Sequence, residues 1–138
     1  MDRDNQVRDL LERERIRHLK HRYCYCIDEK RVGQFVNLFT DDALVDFATR
    51  EPYEGRAEIR QFIKTHIEES NRMAHMACNP VIKVHGEHAT GQWYYLVMIA
   101  QSSSIELGQG VYHETYRLDN DSWKIESLRT ERRFTHNL

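Results

Sequence analysis

The sequence is short of residues that interrupt or crosslink a chain, with two prolines, six glycines and three cysteines in 138 residues. So little proline and glycine, beside 40% hydrophobic residues, argues against a disordered or linker-rich chain. The cysteines are odd in number, and Cys24 and Cys26 are two positions apart, which puts them on different faces of a helix. We therefore expect buried thiols in a reducing compartment, Cys78 included, and neither a disulfide framework nor a thiolate zinc site.

The chain also lacks an excess of either charge and a long apolar run. Its 20 Lys and Arg nearly balance 22 Asp and Glu, so the basic face that a nucleic-acid binder needs is missing. The longest apolar run, Trp93 to Ala100, is far short of a bilayer span, and the first residues contain no apolar signal segment. We expect a cytoplasmic protein that binds neither nucleic acid nor a membrane.

The first half of the chain has the pattern of helices. Apolar residues recur at three- and four-residue steps over residues 5–29, which predicts one long amphipathic helix. A shorter helix is expected over residues 32–39, where residues 40–42 stop it and lead into a strand over residues 43–48. A third helix is expected after Gly55. Its predicted apolar stripe consists of Ile59, Phe62, Ile63, His66 and Ile67.

The second half of the chain has the pattern of strands. Apolar and alternating runs are separated there by turn residues, as in a meander of hairpins. The run from Trp93 to Ala100 is apolar on both faces, which predicts a central strand. Residues 119–122 predict a turn between the last two strands. In the last strand, the apolar residues change from odd positions (Trp123, Ile125) to even positions (Leu128, Phe134). A bulge near Ser127 would put both sets on the same face.

Helices followed by a meander of strands predict an α+β fold. We expect a single domain over residues 1–138, in which three N-terminal helices cover one face of a strongly curved, mostly antiparallel sheet that forms a cone. Such a sheet and its helices enclose one pocket, lined mainly by apolar and aromatic groups. Polar side chains that point inward are therefore the candidates for chemistry.

His75 is the first candidate, because it is the only strongly polar side chain from Met73 to Cys78. A histidine is the usual proton acceptor near neutral pH, and a neighbouring carboxylate can set its tautomer. Tyr23 lies on the apolar stripe of the first helix and Asp28 follows the end of that stripe, so each can enter the core. The alternatives are a structural histidine, a structural tyrosine and a solvated aspartate.

Further candidates come from the strands. If Leu128 and Phe134 face the interior, Arg132 does too, and a buried guanidinium needs a carboxylate or an anionic ligand. The alternative is an arginine at the rim of the pocket. Asp46, on the first strand, is a candidate to contact a substrate. The aromatic candidates for the pocket are Trp93, Tyr94, Tyr95 and Tyr112, although strand alternation lets only some of them face inward.

The sequence has no motif for a nucleotide or a catalytic metal. It contains no glycine-rich phosphate loop, no nucleophile elbow and no HExxH. His18 and His21 have a spacing that can chelate a metal, but they lie among basic residues typical of a solvated helix face. We therefore expect no cofactor and no metal, and a small molecule as the partner.

Several segments, in their order and spacing, give the chain a family resemblance. They are Ile16 to Asp28 (IRHLKHRYCYCID), Leu38 to Ala43, Glu54-Gly55-Arg56, Gly91 to Tyr94 and Ser122 to Ile125. The chain resembles the SnoaL-like branch of the nuclear-transport-factor-2-like superfamily, which includes polyketide cyclases, scytalone dehydratase, bile-acid dehydratase and hexachlorocyclohexane dehydrochlorinase. The resemblance implies the curved α+β fold.

The resemblance also implies roles for individual residues. The Lys-x-x-Tyr-x-x-x-x-Asp segment of the bile-acid dehydratase is similar to the segment that begins at Lys20, so its catalytic tyrosine and aspartate fall on Tyr23 and Asp28. Its catalytic histidine, in a Met-His-Met segment before a proline-led strand, falls on His75. Its C-terminal arginine falls on Arg132.

The implied function is a cofactor-free dehydratase or related lyase that uses an Asp-His dyad on a small, largely apolar carbonyl or polycyclic substrate. Val97 and Trp93 stand where relatives have a further acidic residue and a second histidine, so the substrate is not implied. Two alternatives stay open. One is an isomerase or cyclase that acts on a ketone through the same base, and the other is a non-catalytic ligand-binding or dimerising module.

The resemblance further implies a homo-oligomer, either a dimer or a trimer. We expect the interface on an exposed strand face such as that of residues 110–118, where Tyr112 and Tyr116 share one side.

Overall fold

Helices occupy the N-terminal half of the chain and long strands the C-terminal half. The computed structural model describes residues 2–48, 51–67 and 72–138; the side chains of His66 and Ile67 lie outside the described set. The elements are α1 (Arg3–Asp28), α2 (Val32–Val36), β1 (Phe39–Asp46), β2 (Tyr53–Glu54), α3 (Gly55–Phe62), a π-helical turn (Ile63–Ile67), β3 (Met73–His85), β4 (His88–Ala100), β5 (Ile105–Asp119) and β6 (Ser122–Asn137).

The long predicted helix, α1, packs against the sheet through its C-terminal half. The helix begins at the N-cap Asp2, whose carboxylate accepts a hydrogen bond from the Asn5 backbone N–H at 2.8 Å. In the first three turns Val7, Leu10 and Leu11 are exposed. The buried residues come later and are Ile16, Leu19, Lys20, Tyr23, Cys24, Cys26 and Ile27. The end of α1 therefore carries polar side chains into the core.

The cysteines of the described chain are free thiols, and their burial differs. Cys24 and Cys26 are buried as predicted, and burial raises the pKa of the Cys24 thiol to about 11. The prediction for Cys78 is wrong. Cys78 is exposed, because it lies on β3 at the edge of the sheet.

The prediction for the second helix and the turn after it is partly wrong. Helix α2 ends at Val36, and β1 already begins at Phe39 and includes residues 40–42. The reason is parallel pairing with β6, where Phe39 lies opposite Ile125 and the Ile125 N–H donates to the Leu38 carbonyl at 2.8 Å. Sheet hydrogen bonds thus overcome the turn preference of these residues.

The strands form one mixed sheet in the order β2-β1-β6-β5-β4-β3. Only the β1–β6 pair is parallel among the described pairs, which are otherwise antiparallel. The α+β prediction is confirmed, and β4 is an interior strand, paired with β5 on one side and with the edge strand β3 on the other. In the part of the chain described, the sheet stays open and does not close into a barrel.

Local features of the strands follow the sequence closely. The predicted turn over residues 119–122 is present, and Asn120 and Asp121 adopt positive φ angles of 51° and 64°. Positive φ at both central residues matches the twist of a two-residue hairpin. The predicted bulge is also present, because Thr115 pairs with Ser127 whereas Tyr116 pairs with Ile125.

The helices cover the side of the sheet that carries the large aromatic side chains. Tyr112 and Tyr116 are 3% and 0% exposed on this side, so the expectation that they form an exposed interface is wrong. Gly91 makes room for one of these rings, since a Cβ atom there would lie 2.6 Å from the Tyr116 hydroxyl. No helix in the described ranges is long and apolar enough to cross a membrane.

Candidate active site

A cavity of about 250 Å³ lies between the C-terminal half of α1 and the helix-facing side of the sheet. Most of its wall is apolar or aromatic, and this part includes Ile27, Phe47, Phe62, Tyr95, Val97 and Ile99. The polar side chains that line it include His75, Tyr23, Tyr112 and Arg132. An apolar cavity with a few converging polar groups is the usual form of a ligand site.

Asp28 and His75 form a two-point contact at the edge of this cavity. His75 Nδ1 lies 2.6 Å from Asp28 Oδ1, and the His75 backbone N–H donates to Oδ2 at 2.8 Å. The side chains are 11% and 22% exposed for His75 and Asp28. Because a carboxylate accepts hydrogen bonds, this contact favours the tautomer with the proton on Nδ1, in which Nε2 carries the lone pair.

The local structure explains why Asp28 is held so firmly. Asp28 is the last residue of α1, and the last turn has no basic residue to offset the helix dipole there. His75 lies on β3 at the edge of the sheet, where alternate backbone N–H groups have no neighbouring strand. One such N–H and the imidazole both turn to the Asp28 carboxylate. The carboxylate at the end of α1 thus binds two polar groups of the edge strand.

Tyr23 and Tyr112 face the cavity from α1 and from β5. Their rings pack edge to face, with 5.9 Å between centroids. Burial raises the pKa of both phenols well above the ordinary value. Both groups therefore remain protonated, able to donate a hydrogen bond, through neutral pH.

Arg132 lies at the mouth of the cavity, and the expectation of a buried guanidinium is wrong. Arg132 is exposed, and so is Phe134 at 54%. The register of the β5–β6 pair shifts at Arg133, and residues 131–137 at the end of β6 are all exposed. Burial raises the pKa of the Tyr95 phenol, and the positive charge of Arg132 opposes part of that rise.

Three of the predicted substrate-contacting residues do not reach this cavity. Asp46 and Tyr94 lie on the other face of the sheet; Asp46 accepts a hydrogen bond from the Ala48 N–H at 2.8 Å, and Tyr94 is 42% exposed. Trp93 faces the helices, but it is 1% exposed and donates to the Tyr116 hydroxyl at 2.9 Å. Because side chains alternate along β4, Tyr95 rather than Tyr94 lines the cavity.

Sequence reasoning missed a buried ion pair next to the cavity. Lys20 Nζ lies 2.6 Å from Glu114 Oε2, and both side chains are 0% exposed. The signal was present for the lysine, because Lys20 falls four residues after Ile16 and three before Tyr23 on the apolar stripe. Within the described residues, no group of three or more His, Cys, Asp or Glu side chains could hold a metal ion.

The SnoaL-like domain family matches residues 8–129 of the chain. The chain belongs to the SnoaL-like family. Its fold is also that of solved nuclear-transport-factor-2-like proteins with a cystatin-like fold. No curated protein sequence matches the chain.

Solved structures share the fold of this SnoaL-like protein over nearly its whole length. Rv3472 of Mycobacterium tuberculosis, a protein of unknown function, is 25% identical, with a TM-score of 0.84 over 90% of this chain and 77% of its own. A Novosphingobium aromaticivorans protein assigned as a scytalone dehydratase is 21% identical, with a TM-score of 0.85 over 92% and 87%. A hexachlorocyclohexane dehydrochlorinase from Novosphingobium barchaimii is 18% identical, with a TM-score of 0.83 over 94% and 91%.

Proposed function

We propose that this SnoaL-like protein is a cofactor-independent lyase that eliminates water or a similar leaving group from a small, largely apolar carbonyl compound. The observation that carries the proposal is the position of His75, which lines the cavity while Asp28 Oδ1 lies 2.6 Å from its Nδ1. A histidine held in this way presents Nε2 as a general base.

The proposed reaction begins with removal of a proton from the carbon next to the carbonyl. Nε2 of His75 accepts the proton, and the Asp28 carboxylate stabilises the imidazolium that forms. The electron pair of the broken C–H bond becomes the new C=C bond as the C–O bond to the leaving hydroxyl breaks. The imidazolium returns its proton to that hydroxyl, so the products are an enone and water. General acid–base catalysis of this kind contributes roughly 10²- to 10⁴-fold to a rate.

The two tyrosines supply the second part of the proposed mechanism. Negative charge develops on the carbonyl oxygen as the proton leaves, and the protonated Tyr23–Tyr112 pair offers hydrogen bonds for that oxygen. Arg132, exposed at the mouth, would bind a polar or anionic group at the far end of the substrate.

The cavity also bears on the size of the substrate. Its volume of about 250 Å³ is just below the range of roughly 300–1,000 Å³ that is usual for drug-sized ligands. We therefore propose a substrate of one or two rings rather than a larger polycycle. Two structural relatives are named as a dehydratase and a dehydrochlorinase, which supports elimination as the reaction class.

The proposal is tested with 3-hydroxy-1-tetralone, a two-ring β-hydroxyketone that loses water to give the fluorescent product 1-naphthol. The protein should speed up formation of 1-naphthol, and His75→Gln should abolish this effect. Exchange of the protons next to the carbonyl into deuterated water, without 1-naphthol, would contradict elimination and indicate the isomerase or cyclase alternative. If the protein binds the ketone but causes neither reaction, across a panel of one- and two-ring ketones, the enzymatic proposal is wrong.

A further inference from the structure

A second charged pair, Lys20 and Glu114, lies behind the two tyrosines of the cavity wall. Neither residue lines the cavity, and both side chains are 0% exposed. An apolar pair of similar volume usually gives a protein equal or greater stability than a buried ion pair. Stability therefore does not explain why a lysine and a glutamate occupy this place in an aromatic core.

The ammonium group of Lys20 is in contact with the tyrosines that face the cavity. Its Nζ atom lies 3.6 Å from the ring centroid of Tyr23 and 3.6 Å from that of Tyr112. A cation over the face of a ring is attracted to its π electrons, most strongly where water is excluded. The contact fixes the positions of the two rings, because the ammonium group lies against both of them.

The carboxylate end of the pair is held by its own chain of donors. Tyr116 donates its hydroxyl proton to Glu114 Oε1 at 2.6 Å, and Trp93 Nε1–H donates to the Tyr116 oxygen at 2.9 Å. Lys20 occupies the other oxygen, Oε2, at 2.6 Å. Both carboxylate oxygens thus receive a hydrogen bond, as a charged carboxylate in a core requires. The arrangement also depends on Gly91, which leaves room for the Tyr116 hydroxyl.

We infer that Lys20 and Glu114 are positioning residues, which hold the hydroxyl groups of Tyr23 and Tyr112 where they can donate to the substrate oxygen. The inference rests on the proposed function and adds a charged support to the donor side of the cavity. Lys20 supplies the positive charge beside the two rings. Glu114 balances the charge of Lys20, so the buried pair has no net charge, and its carboxylate holds the ammonium group in place.

The charge state of Lys20 is tested in the wild-type protein, so this test does not depend on the folding of a variant. Nitrogen-15 NMR of the lysine side chains at neutral pH should show one ammonium group protected from exchange with water. Magnetisation transfer between that group and the ring protons of Tyr23 and Tyr112 assigns the signal, because Nζ lies 3.6 Å from both ring centroids. A neutral amine at Lys20, or exchange as fast as that of surface lysines, would overturn the inference.

The donor function is tested with the double variant Lys20→Met/Glu114→Gln, which removes both charges and leaves no lone buried ion. The matched control is Arg17→Met/Glu14→Gln, which removes an exposed ion pair of the same helix. The bound probe is 2-naphthol, whose fluorescence distinguishes the phenol from its anion. We expect the double variant to lower the ratio of bound anion to bound phenol by roughly tenfold, and the control to leave it unchanged.

Turnover separates this inference from the proposed function. For 3-hydroxy-1-tetralone, the double variant should lower kcat by roughly tenfold and change KM by less than about twofold, because the donors matter most as charge develops. If the wild-type protein produces 1-naphthol and the double variant matches it in kcat and in 2-naphthol binding, the inference is wrong while the proposed function stands. If the wild-type protein forms no product from any ketone of the panel, the proposed function fails, and the inference that rests on it fails as well.

Discussion

Two polar pairs join α1 to the sheet, and they differ mainly in their access to the cavity. Asp28 and His75 approach to 2.6 Å with side chains that are 22% and 11% exposed. Lys20 and Glu114 approach to the same distance with both side chains at 0%. In the proposed mechanism the first pair exchanges a proton with a bound molecule, since His75 lines the cavity. The second pair can act only through the rings that separate it from the cavity.

The comparison shows that short distances alone do not identify a reactive group in a core. A sealed ion pair polarises its surroundings but has no route for a proton to a ligand. A pair at a cavity wall has such a route on one side and a fixed partner on the other. Substitutions at the two pairs should therefore have different effects, the first on activity and the second on stability.

The largest expected effect is the loss of activity on changing the pair at the cavity wall. His75→Gln and Asp28→Asn should each lower the rate of 1-naphthol formation by roughly 10²- to 10⁴-fold, since the first removes the base and the second its orienting carboxylate. The measurement is initial rates from 3-hydroxy-1-tetralone. His85→Gln, at an exposed site in the β3–β4 hairpin, is the control and should keep full activity. Wild-type rates in His75→Gln would remove the distinction between the two pairs.

The next effect concerns stability and the sealed pair. Lys20→Met alone should lower the free energy of unfolding by about 3–5 kcal/mol, because it leaves the Glu114 carboxylate buried without its counter-ion. Adding Glu114→Gln should restore much of this loss. Urea unfolding of the two variants measures both quantities. Equal destabilisation by the single and the double variant would show that the pair is not coupled.

Alkaline pH should lower the stability of the protein through the buried tyrosines around Lys20 and Glu114. Burial raises the pKa of Tyr23, Tyr112 and Tyr116 well above the ordinary 10.0, so the folded protein keeps phenol protons that the unfolded chain loses above about pH 10. The folded state then binds more protons, and the free energy of unfolding falls as pH rises, by about 1.4 kcal/mol per pH unit for each tyrosine. Lys20 has the opposite effect on stability, because burial lowers its pKa in the folded protein. Below about pH 10.5 the unfolded chain keeps a proton on this lysine that the folded protein releases more easily, so this contribution to the free energy of unfolding rises with pH. Urea unfolding between about pH 9 and about pH 11 should show this fall. Constant stability over that range would contradict the burial of the three phenols.

The smallest effects distinguish two glycines that face the helices. Gly91→Ala should cost about 1–3 kcal/mol of stability, since its Cβ would lie 2.6 Å from the Tyr116 hydroxyl of the sealed network. Gly108→Ala should change stability by less than about 0.5 kcal/mol, because the nearest heavy atom to its Cβ, on Thr135, is 4.0 Å away. Thermal unfolding compares them, and a larger cost at Gly108 would contradict the packing of the Tyr116 ring.

Much of the fold could be predicted from periodicity and turn residues, because those signals are local. The long helix, the central strand, the hairpin turn at residues 119–122 and the bulge near Ser127 all follow from short stretches of sequence. The start of β1 at Phe39 could not, since it depends on pairing with Ile125, which is far away in the chain.

The site residues show the same limit. The Asp28–His75 contact joins residues 47 positions apart, and the resemblance, rather than any spacing, brought them together. The choice of Tyr95 over Tyr94 depends on which face of β4 meets the helices, and two adjacent aromatic residues give no signal for that. Glu114 looks like a surface residue of a polar strand until its lysine partner is known.

The most direct test of the central claim is proton removal by His75, whatever the leaving group. The protein is incubated with 1-tetralone in deuterated buffer, and NMR follows the loss of the protons next to the carbonyl in wild type and in His75→Gln. The wild-type protein should exchange these protons at least 10²-fold faster than His75→Gln, while both bind 1-tetralone with similar affinity. Equal exchange rates in the two proteins would contradict the assignment of His75 as the base.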